Sequence, residues 1–559
     1  MSAALSARFV LLSAALAATL FAPCAAVQES KPATHTATTW NNVAVAIVAP
    51  LDAWEADLAQ TGEPLTTALV KSLQKRTGIQ QLAGLDRRRP AGIVLQTDGI
   101  GLAPIAFVPV ADAAAFLESI APLVGTATAV ENLPSGQVAE LWKIGRREWT
   151  GYVRRRGDWL YVAQTTALLE DAALPKPDAI LPAKRAVAKT GEQPDLSLRV
   201  YWQNMPEVLR TWAIDRVHQS MRATAEALGE LPAGDAQPEG EQQRVRQLYA
   251  GWLTQRLLHD VDEVGFSWTF TSQSAVNLEL HTSLLADSPL GTFAAALAQP
   301  VRVEAVRQPK LAGPEVATVQ VCVPPLQAAW AKLAASAQSE IAAITGRTVE
   351  SPLLAEHKAW RAAAAVMGQG DVQAALWWNG QRPPAQAVVA ASGIEPAAFR
   401  RLIGAMMDAE DSPGEALEVP RKGWLGRALA KPDSNGDGPL SVPMQQHDSA
   451  CYALLSHDSQ RIAKLLAEAP AVRSPASKNR PLLDASLRVG PALRLASMVA
   501  EDWQAKAQLG KVSLVMPPEK DRLQVTASAG NRSLRLSIEA DAGITQAASF
   551  GLALWLLAE

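Results

Sequence analysis

Cysteine, histidine and aromatic residues are scarce in this chain of 559 residues: 3 Cys, 7 His, 5 Tyr, 9 Phe, and aromatics at only 5% in total. So few thiols, in so long a chain, exclude a disulfide-stapled mini-protein. None of the histidines falls in a His-Glu-x-x-His spacing, which removes the commonest zinc-protease motif. Gly-x-Ser-x-Gly is missing, as is a Gly-rich phosphate loop ending in Lys-Ser or Lys-Thr. Charge of one sign is not in excess either. The 52 basic and 55 acidic side chains give a formal net charge of −3, which disfavours general nucleic-acid binding. What is present is a 48% hydrophobic composition with 19% charge, enough to exclude a mostly disordered chain. Much of the apolar content is alanine, with 16 Trp as large anchors. The length suggests about two to four domains.

Residues 1–26 read as a secretory signal. Arg8 supplies the positive start, Phe9 to Phe21 the apolar run, and Cys24-Ala25-Ala26 a small-x-small cleavage site. The run is shorter than the roughly 20 residues of a membrane span. A lipoprotein reading would acylate Cys24, but Pro23 and Phe21 depart from its usual pattern. The expectation is a periplasmic or secreted protein with no transmembrane segment in the mature chain. A protein or cell-envelope partner is compatible with that; nucleic acid is not expected. Phe550 to Leu557 is apolar but short and reads as a terminal helix docked on the body. After cleavage Cys322 and Cys451 remain, both in strand-like apolar runs. Two buried thiols are expected, a disulfide being the alternative.

Self-similarity organises the chain. Asp195-Leu196-Ser197-Leu198-Arg199-Val200 returns as Asp484-Ala485-Ser486-Leu487-Arg488-Val489. Three further pairs follow the same order. Val45 to Leu51 leads into a helix with Trp54, as Val319 to Leu326 leads into one with Trp330. Ala114-Ala115-Phe116 matches Ala397-Ala398-Phe399, and Leu160-Tyr161-Val162-Ala163 matches Cys451-Tyr452-Ala453-Leu454. The simplest account is two copies of one α+β unit, with the two hexamers in equivalent strands. The first repeat spans 27–310 and carries an inserted long helix pair at about 204–258; the second spans 311–559 and ends in the apolar segment.

Each copy is expected to be a largely antiparallel sheet covered by helices on one face. Leu534, Leu536 and Ile538 alternate with Arg535, Ser537 and Glu539, and Val276, Leu278 and Leu280 alternate with Asn277, Glu279 and His281. Gly530-Asn531 predicts a two-residue hairpin. Asn204 is expected to cap a helix running to about Leu228, with Pro206 in its first turn, and Glu241 to Leu258 to form another, joined to it by the solvent loop Gly229–Gly240. The export signal, the alanine and Trp content and the run Arg156-Gly157-Asp158-Trp159-Leu160-Tyr161-Val162-Ala163-Gln164 resemble large uncharacterised exported proteins of planctomycete-type bacteria. That resemblance implies an exported α+β protein and carries over no functional residue.

Candidate chemistry is thin. His259-Asp260-x-Asp262-Glu263 holds metal-ligand types but reads as a solvated turn after a helix. His447-Asp448-Ser449 and His457-Asp458-Ser459 place triad residues side by side, where they cannot face one another, so both read as polar strand ends. Ser72-Leu73-Gln74-Lys75 has the form of a serine-acylase tetrapeptide without its companion motifs. Arg87-Arg88-Arg89 and Arg154-Arg155-Arg156 read as solvated basic runs, and Arg156-Gly157-Asp158 as a strand-to-strand turn. Asp433-Ser434-Asn435-Gly436-Asp437-Gly438 resembles the start of an EF-hand or dockerin calcium loop, with Asp433, Asn435 and Asp437 as the candidate ligands. Met444 stands where such a loop needs a bidentate Glu, and Pro439 and Pro443 oppose the exiting helix, so a polar turn with at most weak calcium binding is expected. No catalytic residue and no other cofactor is assigned. The sequence points to an exported, non-catalytic binding or structural protein. The alternatives are a hydrolase with a site between the two repeats and a carrier of a hydrophobic ligand.

Overall fold

The structure is a computed structural model. It describes residues 40–61, 82–130, 140–180, 194–229, 238–299, 315–347, 371–378, 385–406, 416–419, 440–472 and 481–546, with short gaps inside these ranges and a few single positions outside them. The fold is α+β, and its described strand pairs are antiparallel. Two compact units divide it. The first takes Met1–Thr211, Asp262–Leu280 and Thr545–Glu559; the second takes Trp212–Val261 and His281–Ile544.

The first unit contains β1 (Asn41–Val48), β2 (Ala91–Thr97), β3 (Leu102–Pro109), β4 (Leu141–Arg146), β5 (Trp149–Arg156), β6 (Trp159–Ala163), β7 (Leu196–Tyr201) and nearly all of β8 (Val261–Phe270). Their pairing gives the order β8-β7-β1-β2-β3-β6-β5-β4. β9 (Val276–Leu284) follows in the chain and pairs with β8. Helix α1 (Leu51–Thr61) follows β1, and α2 (Ala113–Val124) follows β3. Asp112 caps α2 by accepting from Ala115 N at 3.1 Å, satisfying one of the free N–H groups of its first turn. The helix lays Phe116, Leu117 and Ile120 on Val108, Val153 and Leu160 of one sheet face. Alternation puts Val45, Ile47, Ile105, Phe107 and Tyr161 on the opposite face, which Leu168, Leu169 and Leu174 close. This sheet is therefore apolar on both faces.

The second unit begins with most of α3 (Glu207–Gly229), then α4 (Pro238–Asp260) and α5 (Pro289–Leu297). Its strands are β10 (Glu315–Cys322), β11 (Asp371–Trp377), β12 (Gln386–Ser392), β13 (Ala416–Val419), β14 (Leu440–His447), β15 (Ala450–Leu455), β16 (Leu483–Arg488), β17 (Arg522–Gly530) and β18 (Ser533–Ala540). They pair in the order β18-β17-β16-β10-β11-β12-β15-β14-β13. Helix α6 (Gln327–Thr345) follows β10, α7 (Pro396–Met406) follows β12, α8 (Ser459–Glu468) follows β15 and α9 (Val489–Val499) follows β16. Phe399, Ile403, Leu495 and Val499, from α7 and α9, cover one face over Val389, Ala391, Cys451 and Ala453. On the other face, among the described residues, Leu466 of α8 packs with Val388, Tyr452 and Leu454 at the β12–β15 end.

Several local expectations shift. Val200 lies inside β7 opposite Ala44, whereas Val489 is the first residue of α9, so the two hexamers do not occupy equivalent strand positions. Leu196 faces Val48 and Leu483 faces Val321, a displacement of two residues from the hexamer alignment. Asn204 closes the short 3-10 turn Trp202–Asn204 and its amide donates to Asn42 O at 2.8 Å; α3 starts only at Glu207, so Asn204 lies two residues before the cap position. The β17–β18 hairpin turns on Asn531-Arg532, one residue later than the Gly530-Asn531 reading, with Arg532 at φ 64. Cys322 and Cys451 are both buried thiols that form no disulfide. β11 and β12 lie between their strands, so about 14 Å separates them at ordinary strand spacing, beyond the roughly 7 Å reach of a disulfide. No described helix is long and apolar enough to cross a membrane.

Candidate functional site

Beyond the β12–β15 end, the α8 face of the second sheet carries mainly polar side chains among the described residues. Directly paired residues of antiparallel strands share a face, and i, i+2 residues repeat it. Thr526, Asp484, Gln320 and Gln373 therefore form one row across β17, β16, β10 and β11, and Gln524, Ser486, Thr318 and Ala375 form the next. Val388, Ala390 and Trp377 stand beside them as an apolar wall. Together these strands floor a groove of about 250 Å³, which adjoins a second cavity of about 420 Å³ at Glu315, Ser486 and Arg522.

The polar groups are held in place. Gln320 Nε2 and Gln373 Nε2 both donate to Asp371 Oδ2 at 2.9 Å, and Asp371 is fully buried. Gln524 Nε2 donates to Asp484 Oδ1 at 3.0 Å, and Arg522 Nε to Ser486 Oγ at 2.8 Å. At the margin Asp521, also fully buried, accepts from Arg488 Nε at 2.7 Å and from Gly490 N at 3.0 Å in the first turn of α9. The amide nitrogens of Gln320, Gln373 and Gln524 are thereby fixed on carboxylates. Glu315 differs from these aspartates. Partial burial pushes its carboxyl above the usual carboxylate range, and Arg522 pulls it partly back.

The motifs read from the sequence lie elsewhere. The calcium-loop candidates Asp433, Asn435 and Asp437 fall outside the described residues, as do residues 1–26, Ser72–Lys75, Asp448-Ser449, His457-Asp458 and Phe550–Leu557. His447 ends β14 and pairs with Ala450, the first residue of β15. Among the described residues no group of three or more His, Cys, Asp or Glu is placed to hold a metal ion. Asp260 is no solvated turn residue: it is buried, accepts from Leu290 N at 3.0 Å in the first turn of α5, and faces Arg256 at 3.5 Å. Arg256 Nε also reaches Glu340 Oε2 of α6 at 2.7 Å, and Trp252 Nε1 reaches the same oxygen at 3.0 Å. His259 is driven below its ordinary value by burial and by Arg256. The basic runs are neutralised locally. Arg87 pairs with Asp52 and Glu55, Arg89 with Asp158, and Arg154 and Arg156 share Asp171. Gly157, at φ 60, and Asp158 form the two-residue turn from β5 to β6.

Sequence reasoning missed Glu315, Gln320, Gln373, Ser486 and Arg522. The available signal was the Thr318–Gln320 alternation in a strand whose counterpart carries Val45 and Ile47. No known protein family, curated protein or solved structure matches the chain.

Proposed function

We propose that this is an exported, non-catalytic binding protein built from two copies of one α+β unit, and that the second copy holds a ligand on its open polar sheet face. One observation carries the binding reading: the same sheet face is packed shut in the first unit, whereas in the second the described residues leave a groove with immobilised polar groups. Duplication is supported by the strand order, which is the same permutation in both units once β1–β8 are matched with β10–β17. A register shift at the same place adds to it, between Asn42 and Ala44 in β1 and between Glu315 and Ala317 in β10, with Val43 and Val316 each buried at the bulge. The export signal of residues 1–26 supports a site of action outside the cytoplasm. Asp371, Asp484 and Asp521 accept hydrogen bonds from neighbours and so act as positioning groups rather than bases. Glu315 favours a second reading, a hydrolase, because a carboxyl with a raised pKa in a groove is suited to proton donation.

The test is a thermal-shift screen of the chain lacking residues 1–26 against separate panels of saccharides, amino acids and fatty acids. A ligand at 100 times its dissociation constant should add about 2.7 kcal/mol. The shift should vanish in the double variant Gln373→Gly/Ala390→Phe, which gives the groove the residue pair of the first unit. If no compound's shift depends on that pair, the binding reading fails. Turnover of a hit by the wild type, lost in Glu315→Gln, would replace it with the hydrolase.

A further inference from the structure

Two charges at the groove remain uncommitted. Glu315 and Arg522 both line the groove and the cavity beside it. Arg522 spends only Nε, on Ser486 Oγ, and its two terminal nitrogens meet no partner among the described residues. Glu315 makes no hydrogen bond or ion pair with any described residue; Arg522 reaches it only through space. Arg488, opposite Arg522 on the neighbouring strand, is by contrast held by buried Asp521. β16 lies between β10, which carries Glu315, and β17, which carries Arg522, so the two backbones stand about 10 Å apart. Between them the face presents Thr318 and Ser486, which are uncharged, and Arg488, whose charge is taken up by Asp521; Trp377 sits directly opposite Glu315 with Ala375 next along the same strand face.

We infer that the groove takes a small zwitterion of the α-amino-acid type, its ammonium at Glu315, its carboxylate at Arg522, and an uncharged, apolar side chain against Ala375, Val388 and Trp377. The inference rests on the binding reading above and narrows it. A guanidinium with two free donors matches a carboxylate in a bidentate fork, and a partly desolvated carboxylate gains a cation in place of lost water. A dicarboxylate would set like charges together at Glu315, and a diamine would do so at Arg522. A saccharide would leave both groups unpaired.

The probes are L-leucine, N-acetyl-L-leucine and L-leucinamide, titrated calorimetrically into the chain lacking residues 1–26. Leucine should bind, and blocking either its amine or its carboxylate should weaken it about tenfold or more, the size of one lost charged hydrogen bond. Glu315→Gln should weaken leucine and abolish the penalty for acetylation alone. Arg522→Gln should weaken leucine and abolish the penalty for the amide alone. Because the ligand series is run on the wild-type protein, a variant that folds poorly does not decide the matter. Failure of leucine to bind, or equal binding of all three compounds, overturns the inference. A saccharide whose shift is lost in Gln373→Gly/Ala390→Phe, with no leucine binding, overturns the zwitterion and keeps the binding reading. If no compound depends on that pair, both fall.

Discussion

In the first unit Phe107 stands opposite Gly92; at the same crossing of the second sheet Ala390 stands opposite Gln373. Phe107 is fully buried and meets Trp159 edge-on at 5.6 Å. Its ring lies over Gly92 so closely that a Cβ there would come within 2.5 Å of Cζ, and within 2.6 Å of Ala46 O. The neighbouring strand repeats the contrast, with Ile47 beside Gly92 and Gln320 beside Gln373. At the bulge, Asn42 is held by Gln96 Nε2 at 3.2 Å, whereas Glu315 at the matching place meets no hydrogen-bond partner among the described residues. One strand frame thus gives a dry core or a lined groove according to where side-chain volume is placed. The Gly–Phe pair becomes a Gln–Ala pair, and Ile47 gives way to Gln320 beside it.

The comparison can be broken most forcefully at Phe107. Phe107→Ala should cost about 3–5 kcal/mol, through lost transfer energy and a residual cavity, read as a lower denaturation midpoint with faster hydrogen exchange in β1 to β3. Gly92→Ala comes next, at about 1–3 kcal/mol, because the ring and a backbone carbonyl both stand in the way of the new methyl. In the second unit Ala390→Phe alone should also cost about 1–3 kcal/mol by overpacking against Gln373. Adding Gln373→Gly should recover most of it, with a coupling of about 1 kcal/mol or more in a double-mutant cycle. Additivity of the two changes would show that the crossings are not interchangeable. A smaller, pH-dependent effect belongs to His259. Its folded pKa lies below the ordinary value of about 6.5, so its contribution is complete above that pH and is lost as pH falls through the window below it. His259→Gln should therefore flatten the melting temperature between pH 7 and pH 5, and exchange data should place the change in α4 and its neighbours, leaving the first unit unaffected. The smallest effect is that of Glu315→Gln. A carboxyl with a raised folded pKa favours the protonated form, so stability falls as pH rises from the ordinary value through the folded one. The amide should slightly raise the melting temperature at pH 7 and leave it unchanged at pH 3.

The frame was more legible in the sequence than the site. Alternation located β9 and β18, the repeat pairs pointed to β1, β6, β7, β10, β15 and β16, and the matched Ala-Ala-Phe triplets fall in the helices that follow β3 and β12. The hexamers misled for a physical reason. A strand has a period of two, so a slip of two residues keeps every side chain on its face, and local similarity cannot detect it. The groove was hidden for a related reason. Thr318 and Gln320 alternate as a solvent-facing strand would, and only the placement of α8 over half of that face distinguishes a groove from an open surface. Asp260 looked exposed because its partner at the start of α5 comes 30 residues later in the chain.

Each sheet also sets a timetable for folding. The strand first made in each unit, β1 or β10, ends between two neighbours, one of which is synthesised soon after it and the other far later: Val48 lies opposite Ala91 and Leu196, and Val321 opposite Val372 and Leu483. Pairings of such long sequence separation form slowly, since the intervening chain must be confined before any contact rewards it. Until β7 arrives, β1 carries an unpaired edge and the side chains Val43, Val45 and Ile47, which the finished unit buries. A chain emerging from its amino end therefore displays a defined sticky segment for most of the synthesis of its first unit, and that segment is where a holding chaperone would grip it.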